Sequence, residues 1–111
     1  MLEKVRQINV NMNTGAVHFD GKITFMDGDK AVAAIQLRGE LPKDVKVVIR
    51  VKQPSGDIVD VEGKVCSYKG ISHEFLLKNT GVGIYECQLI FQSSYKVNKS
   101  QIFQYEVLKS L

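Results

Sequence analysis

Apolar residues occupy every second position through most of the chain. Ile8, Val10 and Met12 alternate with Asn9 and Asn11. Val17, Phe19, Ile23 and Phe25 share one parity, as do Ala31, Ala33, Ile35 and Leu37. The same period runs through Val45, Val47, Ile49 and Val51, then Val59, Val61 and Val65, then Ile71, Phe75 and Leu77. It closes with Tyr85, Cys87, Leu89 and Phe91, and with Phe103, Tyr105 and Val107. Side chains of an extended strand alternate between faces, so this pattern predicts strands with one buried face, and no segment fits helical spacing over three turns. About seven to eight short strands in a chain of 111 residues predict an all-β fold, an antiparallel β-sandwich or a small barrel. The length leaves room for a single domain, 1–111, in which residues 1–15 form an extra strand or an arm exchanged with a neighbour.

Turn chemistry adds register. Pro54, Ser55 and Gly56 suit a three-residue hairpin, with Pro setting the first φ and Gly tolerating the left-handed third position. Centring on Ser55 places Val51 opposite Val59, Ile49 opposite Val61 and Val45 opposite Val65, so one face is wholly apolar. The other face then sets Arg50 across from Asp60 and, less favourably, Lys46 across from Lys64. A two-residue turn at Asp20 and Gly21 would mix faces in every pair. The segment 17–25 is therefore expected as one strand, or two collinear pieces, bent or bulged at Gly21. The last hairpin is expected to centre on Val97, bringing Phe91 opposite Phe103 and Leu89 opposite Tyr105. Pro42 is expected between strands. Tyr85, two places before the inward Cys87 and preceded by Gly81 and Gly83, matches the tyrosine corner of immunoglobulin-like sandwiches.

Few residues could carry catalysis: two histidines and two cysteines are the usual starting material. His73 shares the inward parity of Phe75 and reads as a structural residue, whereas His18 points to solvent. No Cys-x-x-Cys or His-x3-His spacing supports a zinc site. Cys66 and Cys87 lie on opposite parities of their strands, which favours free thiols over a disulfide. Asp27, Gly28, Asp29 and Lys30 lack the ligand spacing of a calcium loop and read as a tight turn. No cofactor, no metal and no enzymatic activity are expected.

Net charge is +3, with no block of like charge that would serve as a nucleic-acid arm. The aromatic residues nearest to lysines, Phe91, Phe103 and Tyr105, point inward, leaving Tyr95, Lys96 and Lys99 as too small a stacking surface. No apolar run is long enough for a signal peptide or a membrane span, so the chain is expected to be made in the cytoplasm and to contact neither membrane nor nucleic acid. Val48, Ile84 and Ile90, by contrast, take outward positions on strands that neighbour one another in such a sandwich. They are the candidate interface for a protein partner or a homo-oligomer.

The segments ITFMDGDKAVAAIQL (23–37), VKVVIRVKQPSGDIV (45–59), NTGVGIYECQLIF (79–91) and QIFQYEV (101–107) follow one another in an order that resembles the N-terminal domain of the phage baseplate upper protein family. Gly28 with Asp29, Pro54 with Gly56, and Gly83 with Tyr85 fill the places of that family's turn and strand motifs, and the likeness covers about residues 17–108. It implies an immunoglobulin-like β-sandwich acting as a structural, non-enzymatic tail or baseplate module of a phage or prophage virion, with other tail proteins as partners. It supplies no catalytic residues. A bacterial surface module that binds carbohydrate or protein through its loops is the alternative, with Tyr68 and Tyr95 as the aromatic candidates.

Overall fold

The computed structural model describes residues 3–39, 45–65, 72–77, 81–93 and 97–110. They form eleven strands: β1 (Glu3–Asn11), β2 (Val17–His18), β3 (Thr24–Met26), β4 (Lys30–Arg38), β5 (Lys46–Lys52), β6 (Ile58–Glu62), β7 (Lys64–Val65), β8 (Ser72–Leu76), β9 (Gly83–Gln92), β10 (Val97–Lys99) and β11 (Phe103–Leu108). One sheet runs β2, β1, β4, β8, β7. The other runs β3, β11, β9, β5, β6, with β10 also on β9. The all-β sandwich expected from the alternation is borne out, and it is compatible with an immunoglobulin-like arrangement. Most pairs are antiparallel. The exceptions are β1 with β4 and β3 with β11, each parallel, so each sheet is mixed. The segment left open between strand and arm thus supplies β1 within the chain's own sheet.

The inward positions meet in one core. Ile8, Val10, Ile35 and Phe75 from the first sheet face Ile49, Val51, Leu89 and Val107 from the second, all 0% exposed. Tyr105 stacks on Tyr85 at 4.7 Å between ring centroids and meets Phe25 edge-on at 5.7 Å. Such pairs add about 0.5–1.5 kcal/mol each beyond the area they bury. The Tyr85 hydroxyl donates to the Gly81 carbonyl at 2.7 Å, which is the expected tyrosine corner. At the edge, inward Arg6 donates to the Thr24 carbonyl at 3.3 Å and lies 5.7 Å over the Phe25 ring, tying β1 to β3.

The Ser55 hairpin has the expected register: Val51 faces Val59, Ile49 faces Val61, and Arg50 faces Asp60. Gly56 takes φ +95°, and Gln53 and Asp57 close the loop with a 2.8 Å bond. Two bonds from Arg50 to the Asp60 carboxylate, 2.9 and 3.1 Å, hold that acid below the usual carboxylate range. The hairpin ends sooner than expected. Val45 does not face Val65, nor Lys46 Lys64, because the chain leaves the second sheet at Gly63 and pairs with β8 in the first. Lys46 instead bonds Glu62 at 2.6 Å, which avoids the like-charge pair. Gly63 permits the crossing because a Cβ there would lie 2.5 Å from the tip of the Phe75 ring.

Two further expectations need correction. The segment 17–25 is not collinear: β2 pairs with β1 in one sheet and β3 with β11 in the other, and Gly21, at φ +63°, bends the crossing. In the last hairpin Phe103 faces Cys87 and Tyr105 faces Tyr85, four residues from the expected partners Phe91 and Leu89, because Val97, the expected centre of the turn, is already paired with Gln92. Ser100 then alters the register by one residue. Its N–H donates to the Leu89 carbonyl while its Oγ accepts from the Leu89 N–H, both at 2.9 Å, so a side chain replaces a ladder carbonyl. Two residues, Gln101 and Ile102, then oppose Gln88 as a bulge. Pro42, Cys66, Tyr68, Tyr95 and Lys96 lie outside the described residues.

Candidate interaction surface

Among the described residues, the groups that sequence reasoning considered for chemistry lie on separate strands. His18 is exposed on β2, His73 is buried on β8 of the same sheet, and Cys87 is buried on β9 of the other. Cys87 is a free thiol whose titration burial pushes up to about 12, the neighbouring Glu86 charge adding to the effect. At neutral pH it is a protonated, inert core group. Among the described residues no group of three or more metal-ligating side chains gathers in one place. Asp29 belongs to a tight turn: its carboxylate accepts from Met26 N–H at 2.8 Å and pairs with Lys4 at 3.1 Å, and that backbone bond, with Lys4 adding, lowers its pKa.

His73 is 5% exposed, nearly parallel to the Phe75 ring at 6.2 Å, and its Nδ1 has no hydrogen-bond partner among the described residues. Burial lowers its pKa from the ordinary 6.5. The unfolded chain therefore takes up the proton first as pH falls. The stability due to a neutral His73 is fully present above pH 6.5 and is lost as pH drops from there toward the folded value, at a slope of at most about 1.4 kcal/mol per pH unit. Thermal melts between pH 8 and 5 are expected to show a fall in Tm that His73→Leu removes. An identical fall in the variant would refute the assignment.

Chemistry is thus sparse, and exposed apolar surface is not. On the outer face of the second sheet Val48 sits directly opposite Ile90, but Val48 is half-buried and Ile90 is buried at 8% exposure, so this pair, expected as interface, offers little open surface. Ile84 lies at the other end of β9, opposite Glu106, and is 51% exposed. The structure therefore brings two of the three candidate interface residues together and separates the third by six positions, about 20 Å of strand. The residues nearer Ile84 are ones that the sequence reading passed over. Ile102, 62% exposed on the bulge, shares with Ile84 a groove of about 480 Å³ bordered by Phe19, Lys22, Ile23 and Gln104. A second groove of about 270 Å³ lies between Ile102 and Ile58, which is 61% exposed. Both isoleucines hold outward parity beside Phe103 and Val59, the same signal that singled out Ile84.

The charges on this face are largely spent on one another. Arg50 pairs with Asp60, Lys46 with Glu62, and Lys22 with Glu106 at 2.8 Å. These exposed pairs contribute little to stability. Ile58, Ile84 and Ile102 stand exposed among them, with Leu108 further along β11. In aromatic residues it is poor: Phe25, Phe75, Tyr85, Phe91, Phe103 and Tyr105 are buried and Phe19 is half-buried, so the described residues offer no platform for stacking a sugar or a base.

No protein-family model matches the chain, and no curated protein matches it in sequence. Solved structures resemble it in fold. The N-terminal domain of phage TP901-1 ORF48, a baseplate protein, superposes with a TM-score of 0.59 over 98% of this chain and 100% of that domain, at 15% identity. CopC from Methylosinus trichosporium OB3b also gives 0.59, over 81% of this chain and 86% of that one, again at 15% identity. At such identity the likeness is one of fold: the chain shares its sandwich with a phage baseplate domain matched end to end, and with a bacterial protein matched over a smaller part.

Proposed function

We propose that this chain is a structural, non-enzymatic module of a phage or prophage tail, built into the baseplate of the virion and working through contacts with other tail proteins. The observation that carries this reading is the end-to-end match with the ORF48 domain, 98% of one chain on 100% of the other. Assignment to the baseplate upper protein family is the finer form of the proposal and rests on the order of the turn and strand motifs. The surface supports it. Exposed isoleucines on a sheet face with internally paired charges suit a contact made by shape and burial rather than by steering. The separation of Cys87 from both histidines supports a role without catalysis.

Antibodies raised against the folded chain, used for immunogold microscopy on purified particles induced from the source bacterium, test this directly. Gold at the tail tip, together with the chain's peptides in the mass spectrum of the particles, is the expected result. Particles that lack the chain while it decorates the cell envelope would overturn the proposal in favour of a bacterial surface module.

A further inference from the structure

The parallel ladder between β3 and β11 stops before β11 does. Glu106 N–H donates to the Ile23 carbonyl at 3.0 Å and Asp27 N–H to the Leu108 carbonyl at 2.8 Å, so the even residues of β11 turn their backbone groups away from β9. The next two bonds of that pattern would run from Ile23 N–H to the Gln104 carbonyl and from Gln104 N–H to the Gly21 carbonyl. Neither is made among the described residues. Gly21, in the left-handed region, carries the crossing outward instead. Beyond the gap the edge is closed again, where Gln101 N–H donates to the Gly15 carbonyl at 2.8 Å. Between these two anchors the donor and acceptor of Gln104 open into the 480 Å³ groove beside Ile84 and Ile102.

We propose that this groove takes an extended, uncharged segment of a partner polypeptide, which adds to β11 as a short strand. Three features argue for that occupant. A backbone donor and acceptor on one strand edge are complemented by another extended backbone, the mode of recognition used in β-strand addition. The span from Gln101 to Glu106 is about 17 Å, room for about four residues at strand rise. The rim charges, Lys22 and Glu106, already neutralise each other at 2.8 Å, and the walls are Phe19, Ile84 and Ile102, so a segment with an apolar residue matches where a charged one does not. A second copy of the chain does not fit: the gap is closed at both ends by this chain's own backbone, and a strand already embedded in a sheet would collide with the crossing and β3. The inference rests on the contact-module reading for the source of the segment, while strand addition itself is tested separately.

The probe is the blocked pentapeptide acetyl-Thr-Val-Thr-Val-Thr-amide, with its fully N-methylated analogue as control, followed by amide exchange and chemical shifts on the isotope-labelled full chain. At a peptide concentration about ten times the dissociation constant, exchange of the Gln104 N–H is expected to slow about tenfold, with no protection from the analogue. Gln104→Pro removes only a donor that faces the groove, a substitution edge strands accept. It is expected to keep the melting temperature within a few degrees and to lose the peptide. Absence of protection in the wild-type chain, equal protection by both peptides, or undiminished binding by a folded Gln104→Pro variant would each overturn the proposal. So would concentration-dependent protection of Gln104 without peptide, which would make a second copy the occupant. Particles lacking the chain would leave strand addition standing, and a groove that ignores the peptide would leave the virion assignment standing.

Discussion

Tyr105→Ala is expected to lower the unfolding free energy by about 3–5 kcal/mol, a large part of the 5–15 kcal/mol typical of a domain this size. The ring is 1% exposed and stands where three strands meet: it stacks on Tyr85 from β9, meets Phe25 from β3 edge-on, and belongs to β11 between them. Alanine removes both ring contacts and leaves a cavity that strands held by ladder bonds on either side close only in part. Tyr105→Phe keeps the ring pair and is expected to cost less than about 1.5 kcal/mol, the range for one hydrogen-bonding group. Urea titration of the three proteins checks both numbers. A Tyr105→Ala midpoint close to wild type would mean that Phe25 and Tyr85 do not depend on this ring.

The residues that made the fold legible are those whose partners are close in sequence. The Ser55 hairpin could be aligned because Pro54 and Gly56 dictate the loop and valines on both sides disallow a one-residue slip. The tyrosine corner was legible because Tyr85 bonds only four residues back. Alternation says which face a residue takes, however, and not which strand lies beside it. The last strand could be misaligned against β9 by four residues without any of its side chains changing face, and the parallel pairing of β1 with β4 left no mark on either strand. Sheet identity is equally silent, since β6 and β7 continue one pattern while belonging to different sheets.

The candidate surface divides in the same way. Ile84, Ile58 and Ile102 all stand at outward parity, so the apolar face was present in the sequence. The distance between Ile84 and Ile90 was not, because it depends on how far each neighbouring strand extends. The open edge at Gln104 was least legible of all. It is a property of backbone groups, created by the direction in which Gly21 turns the chain, and glutamine carries no signal of it.

Gly63→Ala is expected to destabilise the fold by about 1–3 kcal/mol, the usual cost of forcing extra volume into a packed core. One methyl group has this effect because its position would lie 2.5 and 2.6 Å from Phe75 ring carbons, and Phe75 is fully buried beneath the crossing from β6 to β7. The φ of Gly63 is not in the left-handed region, so the penalty is one of space rather than backbone strain. Space can be restored from the other side. Phe75→Leu shortens the side chain at the ring tip and by itself leaves a cavity; combined with Gly63→Ala it gives the methyl group room. The double variant is therefore expected to be more stable than the sum of the two single losses predicts, by about 1 kcal/mol, within the range for residues in contact. Denaturant melts of the four proteins measure that coupling. Strict additivity would show that the chain crosses between sheets at Gly63 for a reason other than its contact with Phe75.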